Sequence, residues 1–390
     1  MKKDNISTLA VIPEEHDIER LEGIDFSLVH SEMTETERMF INGLIRYYEP
    51  KNILELGVSS GGGTVVLLNA ISDIPDSTLV SIDRLEKYYR DENVMVGSDV
   101  EIYANVLLPN KQKWNLICGK DPSDVMENLG KQFDFVVLDT LHRHPVELLN
   151  FLCVLPYLRD GAIVVLHDIS LFLIDSKGIN LACTILMSAV VGEKLFPQTK
   201  STSYISNEEL VNNICAIQIS PDTRKYVSNL FLALSIPWEY YPFDDIKSIR
   251  RLLSKHYDSS MMQHFEKTAK LFSIWLLMDK TTFSIMQVKK ELTSKLSKKT
   301  IFYGAGAYMK TLLSLFDVCG IEFHYPIWDI KAEIIKSVNG HIVEAPDFKT
   351  RVNGVTAIIT VLEQLAADSV RTQLEFIGYT CILCPHELFS

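Results

Sequence analysis

Five short runs that are apolar at nearly every position recur between stretches of helical spacing: NILEL at 52–56, LVSID at 79–83, NLIC at 115–118, DFVVLD at 134–139 and AIVVLH at 162–167. A strand with one face in water alternates apolar and polar residues, whereas a strand apolar throughout is covered on both faces. Alternation of such strands with helices specifies βαβ units, right-handed crossovers and a parallel sheet between two helical layers. Ligands of these sheets bind beyond the carboxyl ends of the strands, so the residues that end the runs are the first candidates for chemistry. The helix expected ahead of the first strand, TETERMFINGLIRYY at 34–48, carries its own start signal in Thr34 with Glu37 three positions on. After residue 170 the pattern loosens into a helix at about 177–192, a polar loop at 198–209, the strand-like ICAIQI at 214–219 and the aromatic IPWEYYPF, where the sheet is expected to be completed.

At 390 residues the chain exceeds what one hydrophobic core usually supports. Residues 246–298 are rich in helix formers and contain neither Pro nor Gly, which reads as a helical connector. Beyond it TIFYGAGAY, EFHYPIWD, VTAIIT and TCILC supply four more strand candidates around a helix ending near Val318. The expected class is α/β: a doubly wound Rossmann-like sheet over 1–245, helices over 246–298, and a second, smaller Rossmann-like α/β domain over 299–390.

A net charge of −12 argues against binding the phosphate backbone of nucleic acids, which takes clustered Lys and Arg. No apolar stretch approaches the length of a membrane span or forms a signal peptide, so the reading is a cytoplasmic protein without membrane insertion. The seven cysteines are an odd number and lie mostly in apolar runs, as buried reduced thiols do. Cys381 and Cys384 form the one CxxC pair, and with no second pair at zinc spacing it reads as core packing. The aromatic cluster of Trp238, Tyr240, Tyr241 and Phe243 likewise reads as packing at a domain seam ahead of a sugar-stacking surface.

The chemistry concentrates first at Glu55-Leu56-Gly57-Val58-Ser59-Ser60-Gly61-Gly62-Gly63-Thr64, a strand-to-helix turn whose glycines permit close backbone approach and whose helix N-terminus presents unpaired N–H groups. Asp83 ends the second strand 26 residues after Gly57, where a carboxylate can accept from both ribose hydroxyls; a capping Asp is the alternative. The turn is E-x-G-x-x-x-G, which disfavours a dinucleotide. Taken with SIDR, the GKD after the third strand, DFVVLDTLH and LPYLRDGAIVVLHDI, the region from about 34 to 170 resembles the class I S-adenosylmethionine-dependent methyltransferases, within them the metal-assisted O-methyltransferases. The resemblance implies S-adenosylmethionine as cofactor, with Glu55, Gly57, Ser59 and Gly61 around its methionine part, Asp83 on its ribose, and Gly119 and Asp121 near its adenine, where Lys120 interrupts the usual Gly-Asp pair. It also implies magnesium or another divalent cation held by Asp139, His167 and Asp168 at strand ends, and a base in His142 or His144 beside Asp139. Leu141 stands where the subfamily carries an acidic residue, which removes one ligand from that set.

The expected activity is O-methylation of a small-molecule or saccharide hydroxyl. A non-catalytic cofactor-binding or assembly protein that keeps the fold is the competing reading, and the oligomeric state stays open, with a homodimer the one candidate assembly. In the smaller domain Gly304-Ala305-Gly306-Ala307-Tyr308-Met309, with Asp329 ending the next strand, forms a partial dinucleotide fingerprint in which Met309 replaces the third glycine. Nucleotide or nucleotide-sugar binding and a scaffold or dimerisation role are both open there, as is an oxidoreductase using that turn.

Overall fold

A computed structural model describes residues 21, 23–107, 113–173, 180–197, 212–240, 245–277, 285–361 and 364–383. The chain divides into two compact units, 1–265 and 266–390.

In the first unit α1 (Glu35–Tyr48) begins as its sequence dictates. Thr34 Oγ1 accepts from Glu37 N–H at 3.3 Å and Glu37 Oε2 from Thr34 N–H at 2.6 Å, a closed capping box. Strands β1 (Asn52–Leu56), β2 (Thr78–Asp83), β3 (Trp114–Cys118), β4 (Phe133–Leu138) and β5 (Leu158–His167) coincide with the five apolar runs. With β6 (Glu193–Leu195) and β7 (Ile214–Gln218) they form one sheet in the order β3-β2-β1-β4-β5-β7-β6. β1 pairs parallel with β2 and β4, β4 parallel with β5, and β7 antiparallel with both β5 and β6. The polar segment 198–209 lies outside the described residues.

Both faces of the sheet are covered. On one, Phe40, Ile41 and Leu44 of α1 and Val65, Val66 and Leu68 of α2 (Gly62–Ala70) share a core with Ile53, Leu79, Phe135, Ile163 and Ala216. The alternate residues Leu54, Val80, Val136 and Val164 are equally buried. A second helical layer runs through α3 (Pro122–Leu129), α4 (Val146–Val154) and α5 (Ala182–Ala189). The helix α6 (Ile246–His256), which the sequence reading places in a connector, packs on α3 and α4 inside this unit. Strand order reverses between β1 and β4, and their register places Leu56 opposite Leu138, so the β1–α2 turn and the end of β4 meet at one point. A polar hairpin, Lys87–Tyr88 against Asp91–Met95, follows β2.

The second unit carries β8 (Ile301–Tyr303), β9 (Ile327–Trp328), β10 (Ser337–Val338), β11 (His341–Glu344), β12 (Val355–Ile359) and β13 (Tyr379–Leu383) in the order β10-β11-β9-β8-β12-β13, with α7 (Ala307–Val318) after β8 and α8 (Gln364–Phe376) before β13. All pairings except β10 with β11 are parallel. Met309, in the place of the fingerprint's third glycine, is fully buried in the core with Phe302 and Phe316. Cys381 is exposed and unpaired with any cysteine among the described residues, and Cys384 lies outside them.

Candidate functional site

The turn after β1 is built by its neighbours. Gly57 N–H donates to Ile82 O at 3.0 Å and Asp139 N–H to Leu56 O at 2.9 Å, which carries the sheet's bonding one residue past the strand ends. Gly57 holds φ +87°, and a Cβ there would lie 1.7 Å from the Asp139 carbonyl oxygen. Gly61, at φ +112°, faces the Gly97 backbone at 3.1 Å. These two glycines are required by protein backbone pressed against them, where the sequence suggests room for a ligand.

Asp83 closes the crevice from β2. Its Oδ2 accepts from Val58 N–H at 2.9 Å and Ser59 N–H at 3.0 Å, and its Oδ1 from Leu85 N–H at 2.8 Å. The carboxylate is thereby fixed at the mouth of a cavity of about 830 Å³, within the range of about 300–1,000 Å³ that encloses a small organic ligand. Of the residues expected on a cofactor, Glu55, Gly57, Ser59, Asp83 and Asp121 line this cavity. Gly61 and Gly119 do not; Gly119 turns at φ +68° toward Glu86, and Lys120 takes its place on the wall.

Glu55 is fully buried. Thr64 Oγ1 donates to its carboxylate at 2.8 Å and Ser81 Oγ at 2.6 Å, yet desolvation outweighs these bonds and lifts its pKa to about 7. Also lining the cavity, Arg84 stands 3.0 Å from Asp245 and 3.8 Å from Asp121, and its guanidinium donates to Tyr240 OH at 2.9 Å. Burial, then the Asp245 charge, push Asp121 up to about 7 against the pull of Arg84.

Asp139 and Asp168, ending β4 and β5, converge on two imidazoles. His142 Nε2 lies 3.3 Å from Asp139 Oδ1 and 3.3 Å from Asp168 Oδ2. His167 Nδ1 lies 3.4 Å from Asp139 Oδ2 and 3.5 Å from Asp168 Oδ1, while its Nε2 faces Glu37 Oε2 at 3.4 Å. Burial alone would lower both imidazoles, but the carboxylates prevail, raising His142 to about 9 and His167 well above its ordinary value. Asp139, which burial would raise, is held below the carboxylate range by His167 and His142. His142 and Asp168 both sit in the left-handed backbone region at φ +59°, a cost that clusters where a side chain must be aimed. Asn213 Nδ2 donates to Asp168 Oδ1 at 2.7 Å and fixes that aim.

The structure does not bring every expected residue here. His144 is buried away from the cavity against the Ile236 and Ala233 backbone, and desolvation lowers it to about 4; it is not placed to act as the base. The ligand atoms that come within 4.8 Å of one another at the strand ends belong to Asp139, His142 and Asp168, with His142 in the position expected of His167. Among residues that sequence reading does not single out, Arg84 follows the SID motif directly, and His30 and Tyr89 line the cavity from outside the α/β alternation. Glu37, marked by the capping box alone, also supplies a carboxylate to His167. Tyr240 of the aromatic cluster lines the cavity and Trp238 is buried, whereas Tyr241 and Phe243 lie outside the described residues.

Residues 54–169 match a family model described as a methyltransferase domain. Solved structures similar to the chain include the O-methyltransferase TomG from Streptomyces achromogenes in complex with SAM, at 17% identity over 56% of this chain and 100% of that one, with a TM-score of 0.37. An O-methyltransferase from Bacillus cereus in complex with SAH matches at 16% identity over 53% and 93% of the two chains, TM-score 0.34. An SAH-bound methyltransferase from Podospora anserina matches at 14% identity over 53% and 88%, TM-score 0.36. No curated protein matches the chain. The matched segment runs from β1 to just past β5, around the strand-order reversal and its glycine turn, so it is this stretch of the chain that is similar to a methyltransferase domain.

Proposed function

We propose that the chain is an S-adenosylmethionine-dependent O-methyltransferase acting on a hydroxyl of a small molecule or saccharide, assisted by a divalent cation. The observation that carries this is one cavity lined by two chemically distinct sets of groups: the glycine turn with Asp83, and Asp139, Asp168 and His142. Bound there, the cofactor supplies the electrophilic methyl of its sulfonium. Asp83 presents a fixed acceptor to the ribose, and Asp121 and Tyr240 bound the adenine side. Glu55, held by Thr64 and Ser81, underlies the turn around the methionine part.

The acceptor end suits a hard cation. Asp139 and Asp168 offer carboxylate oxygens, the donor type magnesium prefers, and such an ion lowers the pKa of a coordinated hydroxyl. His142, charged at neutral pH in its present surroundings, donates from Nε2 toward the carboxylates and so stabilises a developing oxyanion. One observation favours the non-catalytic alternative: the two imidazoles already offset the charge of Asp139 and Asp168.

Calorimetric titration with S-adenosylhomocysteine tests the cofactor assignment, and absence of binding at millimolar concentration removes it. Asp139→Ala and Asp168→Ala separate enzyme from binding protein. Turnover, followed as S-adenosylhomocysteine release over a panel of hydroxyl acceptors with magnesium, is lost in both variants while cofactor affinity persists.

A further inference from the structure

Behind His142, on the side away from Asp139 and Asp168, lies a second set of ligand-type side chains. Cys183 from α5 is 1% exposed, and its Sγ stands 3.9 Å from His142 Nδ1. Glu147, in the first turn of α4, is fully buried. Its Oε1 accepts from the His142 backbone N–H and from Thr140 Oγ1 at 3.1 Å, whereas its Oε2 has no hydrogen-bond partner. One ligand atom from each of His142, Glu147 and Cys183 falls within 4.8 Å of the others.

An unpartnered carboxylate oxygen at zero exposure is costly unless a proton or a cation compensates it, and two further ligand-type side chains at hand favour the cation. The donor set selects which. Thiolate and imidazole suit borderline-soft ions such as zinc, where the carboxylate pair beyond suits magnesium. Zinc bonds of about 2.3 Å to sulfur and 2.0–2.1 Å to nitrogen in a tetrahedron separate those two atoms by roughly 3.6 Å, so the observed 3.9 Å needs only a slight contraction. The other ring nitrogen completes the pattern. A metal-bound histidine characteristically donates its second N–H to a carboxylate, and His142 Nε2 faces two.

We infer that His142 Nδ1, Cys183 Sγ and Glu147 Oε2 form a zinc-class site, distinct from the Asp139–Asp168 cation position, that fixes the imidazole with its Nε2–H aimed at those carboxylates. Three protein ligands leave a fourth position for water. Thr140 supports the Glu147 ligand and is itself held by Asn150 Nδ2 at 3.3 Å. This inference does not rest on the methyltransferase reading.

Cobalt(II) added to the chelator-treated full chain is the probe. The expected result is a near-ultraviolet sulfur-to-cobalt charge-transfer band that zinc abolishes, that disappears in Cys183→Ser, and that persists in Asp168→Asn. Glu147→Gln keeps the band and weakens cobalt binding by more than the roughly 10–100-fold that disturbing only a ligand's supporting group costs, because a charged ligand is lost. No band in the wild type, or one unchanged in Cys183→Ser, overturns the site. Because Cys183→Ser can fail to fold, X-ray absorption at the zinc edge of the wild type gives an independent reading: one sulfur among nitrogen and oxygen ligands upholds the site, and none, or two or more, refutes it. A band obtained without S-adenosylhomocysteine binding sinks the methyltransferase proposal alone.

Discussion

Replacing Asp83 by Asn tests whether this carboxylate organises the crevice. Asp83 accepts three backbone N–H groups, two on Oδ2 and one on Oδ1. An asparagine has a single oxygen. If that oxygen serves Val58 and Ser59, its amide nitrogen meets the Leu85 N–H donor to donor; turned the other way, it abandons the glycine turn. Hydrogen bonds to charged groups contribute about 1.5–3 kcal/mol each, and Asp83 is only half-buried, so water recovers part of the loss. The net is about 1–2 kcal/mol for Asp83→Asn and about 3 kcal/mol for Asp83→Ala. At about 2–4 °C per kcal/mol for a unit of this size, the Asn variant melts roughly 2–8 °C lower. Differential scanning fluorimetry of the full chain reads this shift, and calorimetry with S-adenosylhomocysteine reads the affinity, expected to fall at least about tenfold as a ribose acceptor is lost. A variant unchanged in both melting and affinity refutes the idea that Asp83 shapes the turn.

Gly57→Ala places a methyl 1.7 Å from Asp139 O at φ +87°, whereas Gly130→Ala, at φ +57° with nothing within 4 Å, meets only the left-handed backbone cost of about 1–2 kcal/mol. Denaturant melts should show Gly130→Ala mildly destabilised and Gly57→Ala without a folded first unit; equal effects contradict the geometry. His144 is lowered to about 4 in the fold from an ordinary 6.5, so the unfolded chain takes up its proton first as pH falls. Its contribution is intact above pH 6.5 and declines toward pH 4, by on the order of 2 kcal/mol at pH 5. Urea midpoints at pH 5 and 7 should therefore diverge less in His144→Leu than in the wild type, and an undiminished divergence rejects the assignment. Arg84→Met strips the counter-charge from Asp121 and Asp245. Since Asp121 ionises near pH 7, the drop in melting temperature should be larger at pH 8.5 than at pH 6, and a pH-independent drop counts against the pairing.

The parallel strands were legible because they are apolar on both faces: β1 through β5 each fall on a run visible by eye. The hairpin after β2 was not, since Asp91–Met95 is almost wholly exposed and offers no apolar alternation. Nor was β6, a three-residue edge strand with one buried side chain. At the site, strand ends identified Asp139, Asp168 and Asp83 because topology alone puts them there. Adjacent loop positions are another matter. His142 and His144 lie two residues apart, yet one faces the carboxylates and the other the interior, a difference set by backbone turns that local composition does not encode. Glu147 is a lone acid in the apolar helix VELLNFLCV, a signal that stands out only once that helix is known to be buried all round.

The clamp around Asp83 recurs in the second unit. Ala305 N–H donates to Asp329 Oδ2 and Lys331 N–H to Asp329 Oδ1, both at 2.8 Å, beside Gly304 at φ +113°. In both places the acidic side chain has lost its rotational freedom before any guest arrives. Immobilising such a side chain at binding would cost about 0.5–1.5 kcal/mol. Folding has already met that cost at Asp83, so on the proposed cofactor reading a ribose meets a carboxylate that the chain's own amide groups already hold in place.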